Sequence, residues 1–232
     1  MAGYETFFVA CHLVIHLIVV MGIINRKTRK NIYYLFCRIR ERLMGLDFST
    51  FLEPDDLGLS PKKSFPYERS NEKMLKTVFD DLPINNNDSL LDIGCGKGYA
   101  ISILKKYPFN KVDGVEISPI LVNIARNNLR KLKIESTIYE SDAINFSGLD
   151  SYNYLYISNP FPEPEMCKFA QTIKYSLINN PRDITIVYYN PLFYKYFKEL
   201  SYKSQLYEQY VDNMKIGVVV YYISNCVLDY LE

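Results

Sequence analysis

Eighteen consecutive residues from Phe7 to Ile24, FFVACHLVIHLIVVMGII, carry no formal charge. As a helix rising about 1.5 Å per residue they would extend roughly 27 Å, close to the hydrocarbon thickness of a bilayer. A core helix is seldom uncharged on every face. A cleaved leader fits poorly, because Glu5 precedes the run without any Lys or Arg and no small-x-small site follows it. The pattern therefore predicts a transmembrane anchor over residues 1–25. Residues 32–44 then mix apolar and basic positions at roughly helical spacing, which suits either an interfacial helix or an ordinary linker helix. Residues 45–66, with Pro54, Gly58 and Pro61, read as a linker, so the basic juxtamembrane segment and linker occupy 26–64.

From residue 65 to 232 the pattern alternates. Short segments rich in apolar and β-branched residues, read as strands, fall at residues 89–93, 111–117, 134–139, 152–157 and 184–189. Helical periodicity falls between them, at 70–81, 100–106, 119–132 and 165–178, with Pro119 at a helix start. Two last runs at 205–210 and 216–223, separated by Asp212 and Asn213, read as an antiparallel hairpin closing the sheet edge. The fold class expected is α/β: a doubly wound, mostly parallel seven-stranded sheet with helices on both faces.

The most telling local pattern is Leu90-Leu91-Asp92-Ile93-Gly94-Cys95-Gly96-Lys97-Gly98, a buried strand breaking into a glycine loop that opens a helix at Tyr99. In α/β domains this is where nucleotide-like ligands sit. Asp92 lies two residues before the first glycine, where it would repel a pyrophosphate but suit a ligand carrying an ammonium and a sulfonium. Tyr99 fills the place of the third glycine in the dinucleotide pattern Gly-x-Gly-x-x-Gly. The loop favours S-adenosyl-L-methionine over NAD.

Charge changes the picture in one respect. The net charge is only +1, but residues 26–42 hold seven Lys or Arg against Glu41, a local +6, so the remainder carries −5. Positive flanks stay cytoplasmic, which would place the domain at 65–232 in the cytosol, on a single-pass membrane protein. A mildly acidic catalytic region argues against a nucleic-acid partner. The five cysteines, at 11, 37, 95, 167 and 226, form no Cys-x-x-Cys pair and fit unpaired thiols in a reducing compartment. His12 and His16 lie one helical turn apart in the apolar run with no carboxylate beside them, which suits neutral packing histidines better than a metal site; no metal is expected.

The glycine loop and the acids at the strand ends resemble those of the class I S-adenosylmethionine-dependent methyltransferases, over about residues 65–232. That resemblance implies a Rossmann-like fold and S-adenosyl-L-methionine as cofactor. It implies that Gly94, Gly96 and Gly98 let the backbone approach the cofactor, and that Asp92 orients the loop and the methionine amino group. Glu116, at the end of the second strand, would accept from both ribose hydroxyls, Ile117 would pack on the adenine, and Asp142 would accept from its amino group. Tyr67 and Ser70 precede the domain where family members often close over the cofactor. Ser158-Asn159-Pro160-Phe161, after the fourth strand, is similar to the Asn-Pro-Pro-Phe/Tyr motif of enzymes that methylate amino or amide nitrogens, although the second proline is missing. There Asn159 and the Pro160 carbonyl would accept from the nucleophilic nitrogen and Phe161 would pack on the acceptor. Asn190-Pro191 repeats the pattern after strand five.

The reading that follows is a membrane-anchored methyltransferase whose acceptor is a protein side chain, a lipid-linked glycan or a lipid head group, with the membrane itself as a partner through the anchor and the basic segment. A noncatalytic cofactor-binding scaffold and an NAD-dependent oxidoreductase are the competing readings. Both histidines lie in the apolar run, so any general base would be Asp142, a tyrosine or water.

Overall fold

The computed structural model describes residues 26–60, 65–211 and 214–224. The apolar run at 7–24, with Cys11, His12 and His16, lies outside the described residues, as do the hairpin turn at 212–213 and Cys226. Among the described residues no helix is long and apolar enough to cross a membrane. The chain divides into two compact units, Met1–Ser49 and Thr50–Glu232.

In the first unit, helix α1 spans Arg26–Leu43. Leu35, Ile39 and Leu43 follow one another at four-residue spacing and are all exposed, and so are Arg38 and Arg42. Residues four apart share a helix face, so this is an apolar stripe bordered by arginines. Glu41 closes the segment by accepting from the Ser49 hydroxyl at 2.6 Å and from the Phe48 amide at 3.0 Å.

The second unit is built on a seven-stranded sheet. In chain order the elements are α2 (Glu72–Phe79), β1 (Ser89–Ile93), α3 (Tyr99–Leu104), β2 (Lys111–Glu116), α4 (Pro119–Lys131), β3 (Ile138–Glu140), β4 (Tyr154–Ile157), α5 (Glu163–Asn179), β5 (Ile184–Tyr189), α6 (Lys195–Lys198), β6 (Lys203–Val211) and β7 (Met214–Ile223). The strand order is β3-β2-β1-β4-β5-β7-β6. The first five strands are parallel, while β7 pairs antiparallel with both β5 and β6. The hairpin therefore enters by its second strand, and β6 forms the edge.

Alternation of side chains puts one apolar set on each face of the sheet. Leu90 and Tyr156 join Met74, Ile101 and Val122 on the face of α2, α3 and α4. Leu91, Ile93, Leu155 and Ile157 join Phe169, Ile173 and Phe197 on the face of α5 and α6. The chain winds outward from β1 to β3 and then returns to β4, so the order reverses between β1 and β4. Ligands in such sheets bind in the crevice beyond the carboxyl ends of the strands at that reversal.

Strand three is shorter than the apolar pattern suggests. It begins at Ile138 rather than at residue 134 because the Thr137 amide donates to the Asp113 carboxylate at 2.8 Å, which withdraws it from the ladder. Lys133, at φ 56°, turns the chain just before. Two 3-10 turns, Ala143–Asn145 and Leu149–Ser151, and the short α6 carry no clear periodicity and escape a sequence reading.

Candidate active site

At the reversal point β1 delivers Asp92 and then turns through Gly94-Cys95-Gly96-Lys97-Gly98 into α3. The amides of Gly94 and Cys95 both donate to the Val115 carbonyl of β2, at 2.9 and 3.1 Å, which pins the loop to the sheet. Gly94 and Gly96 have φ of +69° and +54°, a region that side chains with a Cβ rarely occupy. Each also abuts a wall: a Cβ on Gly94 would lie 2.4 Å from the Pro160 Cβ, and one on Gly96 would lie 2.6 Å from the Tyr67 ring. The loop is thus wedged between the Asn159-Pro160 turn and the segment preceding the domain.

These parts enclose a cleft that is partly open to solvent. Asp92, Gly94, Gly96, Glu116, Ile117, Asp142, Asn159, Pro160 and Phe161 all line it. Gly98 does not line it; it caps α3. Nine of these ten residues therefore meet in one crevice, together with Tyr67, Ser70 and Ser158.

Their states differ. Asp92 is buried and, among the described residues, its carboxylate receives no hydrogen bond; burial first, and then the neighbouring Glu116, hold its pKa well above the usual carboxylate range. Glu116 accepts from the Gly96 amide at 3.0 Å and from the Ser118 amide at 2.9 Å. Burial still raises its pKa, against the opposing pull of those amides. Two buried carboxyls thus face one cleft, and one of them has no donor. A cation is the group such a site lacks. The ammonium and sulfonium of S-adenosylmethionine meet that need, so the residues present fit the cofactor.

Asp142 has a structural task as well, accepting from the Ile144 amide at 2.9 Å to cap the 3-10 turn. Ile117 is 40 % exposed, an apolar surface at the rim rather than in the core. Phe161 is buried and meets Phe169 edge-on at 5.6 Å, so it forms part of the wall rather than a projecting platform.

Asn159 is held from two sides. Its Oδ1 accepts from the Tyr188 hydroxyl at 2.8 Å, and its Nδ2 donates to the Asn190 carbonyl at 2.6 Å. Asn159 and Asn190 both have positive φ, 44° and 50°. The two Asn-Pro turns at the ends of β4 and β5 are therefore joined, and Tyr188 is the residue the sequence concealed. Its only signal was a position two residues before Asn190 in an otherwise apolar strand.

The segment before the domain forms the remaining wall. The Tyr67 amide donates to the Leu52 carbonyl at 3.0 Å, and Ser70 Oγ and the Tyr156 hydroxyl are 2.7 Å apart. Lys97, in the middle of the glycine loop, is fully buried and turned away from the cleft, its Nζ donating to the Thr50 carbonyl at 2.8 Å. Cys95 is buried, and burial pushes its thiol pKa up, away from nucleophilic chemistry. Cys37, Cys95 and Cys167 are free thiols.

Residues 72–183 match the family model for the methyltransferase small domain. Over 140 residues the chain is 28 % identical to an uncharacterized RNA methyltransferase of Chlamydia trachomatis, covering 58 % of this chain and 34 % of that one. Over 119 residues it is 28 % identical to an rRNA adenine N-6-methyltransferase of Streptococcus sanguinis, covering 50 % and 42 %. Over 85 residues it is 38 % identical to a release factor glutamine methyltransferase of Bacteroides thetaiotaomicron, covering 34 % and 31 %. The chain thus spans about a third to two fifths of the length of these curated relatives. Among solved structures, an RNA methyltransferase from Salinibacter ruber in complex with S-adenosyl-L-homocysteine superposes with a TM-score of 0.50 at 15 % identity, over 68 % of this chain and 94 % of that one, a likeness of fold.

Proposed function

The chain belongs to the class I S-adenosylmethionine-dependent methyltransferase family, and from that premise we propose that it transfers a methyl group to a planar amino or amide nitrogen presented at Asn159-Pro160. The observation that carries this reading is the joined pair of Asn-Pro turns, with Asn159 held by Tyr188 and Asn190 and with Pro160 packed against the glycine loop at Gly94.

When bound, S-adenosylmethionine supplies an electrophilic methyl on a cationic sulfur, so alignment of the acceptor is the main task left to the protein. Asp92 would hold its ammonium, Glu116 would offer its remaining lone pairs to the ribose hydroxyls, and Ile117 and Asp142 would hold the adenine. An amide oxygen has two lone pairs, and Tyr188 uses one on Asn159. The second, with the Pro160 carbonyl, would receive the N–H groups of the acceptor and orient its nitrogen.

Tyr188 and Tyr156 are poor candidates for a base. Burial pushes Tyr188 up to about 12 and Tyr156 well above its ordinary value, so both phenols stay protonated and orient their neighbours. A planar nitrogen enters neutral, so no side chain need deprotonate it beforehand, and Asp142 or water would take up its proton.

The names of the relatives bear on the acceptor. One is named for adenine N-6 and one for glutamine, both planar nitrogens, and two are named for RNA or rRNA. The expectation that nucleic acid is excluded is therefore withdrawn. A nucleobase swung out of its stack brings an amine, not a phosphate, into an acidic cleft. The membrane reading is kept as part of the proposal: the uncharged run at 7–24, outside the described residues, is the expected anchor, and the arginine-bordered stripe of Leu35, Ile39 and Leu43 supports α1 as a helix lying on an anionic membrane surface.

The test is transfer of tritium from methyl-labelled S-adenosylmethionine to total RNA, whole-cell protein and extracted lipid. The proposal expects counts in the RNA or the protein fraction, lost in Asn159→Ala with cofactor binding retained. Counts only in lipid would refute the planar-nitrogen acceptor, and cofactor binding without any turnover would favour the scaffold reading.

A further inference from the structure

Strand β5 stops at Tyr189, opposite Val218 of β7, but β6 and β7 stay paired for four further rows, to Val211 and Met214. At about 3.3 Å per residue this two-stranded ribbon projects roughly 13 Å past the carboxyl end of β5, on the side where the cleft lies. It is tied to the acceptor turn through Asn190. The Asn190 amide donates to the Gly217 carbonyl at 2.8 Å, and the Asn190 carbonyl accepts from Asn159 Nδ2 at 2.6 Å.

The ribbon has an unfilled edge. In an antiparallel ladder each residue directs both backbone groups to one neighbour, and successive residues alternate. The bond from Asn190 to Gly217 sets the phase: Gly217 and Lys215 address the β5 side, and Ile216 addresses β6. Past Asn190, at φ 50°, the chain leaves that lane, and Pro191 approaches the face of Gly217 instead. Among the described residues, no backbone group bonds the Gly217 amide or either backbone group of Lys215 from that side. Charged side chains guard many sheet edges, but the Lys215 ammonium is turned back to Glu208 at 2.6 Å. A Cβ on Gly217 would meet only Leu206 Cδ1 at 3.9 Å, Pro191 Cδ at 4.0 Å and the Tyr207 carbonyl at 4.0 Å, so neither packing nor a positive φ requires glycine there. A strand glycine that the chain's own packing does not require is a mark of another backbone's close approach.

We propose that the acceptor is an extended protein segment that adds as a strand to this projecting edge of β7, beside Lys215 and Gly217, and presents a glutamine or asparagine amide at Asn159-Pro160. This rests on the planar-nitrogen reading above and deepens it. The open lane continues that of β5. It lies one strand spacing, about 4.8 Å, from the lane of β4, in which Asn159 follows Ile157. A side chain from a strand placed there reaches the acceptor turn, while main-chain bonds supply the affinity. Guest side chains on one face would cross Gly217 to the exposed Leu206. In the transfer an N–C bond forms, the methyl–sulfur bond breaks with its electron pair left on sulfur, and one amide proton goes to Asp142 or water. Charge selects protein over nucleic acid. The described cleft lining holds five acidic side chains, Glu68, Asp92, Glu116, Asp142 and Glu165, against one basic side chain, Arg69. A peptide backbone brings no phosphate to such a surface.

The experiment is methyl transfer from tritiated S-adenosylmethionine, by the full chain in detergent, to whole-cell protein and to total RNA. Label should enter protein and, after digestion, lie in peptides at glutamine or asparagine. Lys215→Pro removes the amide on the open edge and leaves the bonds to β6 in place. It should lower that transfer about tenfold or more, with affinity for S-adenosylmethionine changed less than about twofold. Lys215→Thr, which restores the amide without the charge, should recover most of the loss. If thermal melting shows the proline variant to be unfolded, amide exchange in the wild type decides. The Gly217 and Lys215 amides should then slow when the labelled peptide recovered from the digest is added. Equal transfer by a folded Lys215→Pro, a matching loss of cofactor affinity, unslowed amides, or label in RNA alone overturns the proposal. Label in neither fraction means that the planar-nitrogen reading itself fails; label in RNA that Asn159→Ala abolishes leaves that reading standing and removes this inference.

Discussion

The Tyr188 hydroxyl donates to Asn159 Oδ1 at 2.8 Å and at the same time accepts from the Phe193 amide at 3.3 Å. A hydroxyl has one proton, so the amide at its back commits that proton to Asn159. The carboxamide cannot turn over without losing this bond and the one from its Nδ2 to Asn190. Tyr188→Phe keeps the ring that packs against Phe197 and removes only the hydroxyl, with its bonds to Asn159 and from the Phe193 amide. The expected cost is about 1 kcal/mol of stability, read from the denaturant midpoint. Methyl transfer should fall about tenfold or more with cofactor affinity unchanged. Loss of cofactor binding in step with transfer would place Tyr188 in the scaffold instead.

Gly94→Ala tests the contact between the loop and the acceptor turn. Its Cβ would arrive 2.4 Å from the Pro160 Cβ at a φ of +69°, and positive φ alone costs a residue with a Cβ about 1–2 kcal/mol. Pro160 must move, and Asn159 with it. The variant should lose about 1–3 kcal/mol of stability in a thermal or denaturant melt. Its transfer should fall by more than its affinity for the cofactor.

Buried Asp92 holds its proton to higher pH than an unfolded carboxyl does, chiefly through burial and then through Glu116. Between the unfolded and the folded pKa the native state binds more protons, so the stability of the ligand-free protein falls as pH rises through that window. Cofactor binding runs the other way. The ammonium requires the carboxylate, so affinity rises over the same window, and binding releases a proton. Calorimetry in two buffers of different ionisation enthalpy, kept below pH 7, should show that release in the wild type. Asp92→Asn should abolish it and weaken binding about 10- to 100-fold. Proton uptake, or no exchange, would contradict this placement of the ammonium.

Helix α1 makes a separate prediction. If Leu35, Ile39 and Leu43 face a bilayer, quenching of a fluorophore at position 39 by lipid-borne quenchers should be strong in vesicles containing phosphatidylserine. It should weaken when Arg38 and Arg42 are both changed to Gln. Quenching that is absent in such vesicles would put the stripe against protein or water.

What the sequence made legible follows the physics of each element. Residues 89–93 and 184–189 were readable to the residue because strands in the middle of the sheet are largely buried and appear as short, mostly apolar segments. Edge strand β3 was misjudged by four residues at its start because a side chain, Asp113, took the Thr137 amide that would have extended it. No periodicity encodes a bond between elements so far apart. The cofactor side of the cleft was readable because it depends on short, contiguous motifs. Tyr188 was not, since it matters through a neighbour that the fold brings to it, Asn159 at the end of the adjacent strand.

The most direct test of the account is titration of the full chain in detergent with S-adenosylmethionine, S-adenosylhomocysteine and NAD, with Glu116→Ala as control. The account predicts micromolar binding of the two sulfur nucleosides, its loss in the variant, and no heat from NAD. Binding of NAD in their place, or binding of S-adenosylmethionine that ignores Glu116, would contradict it.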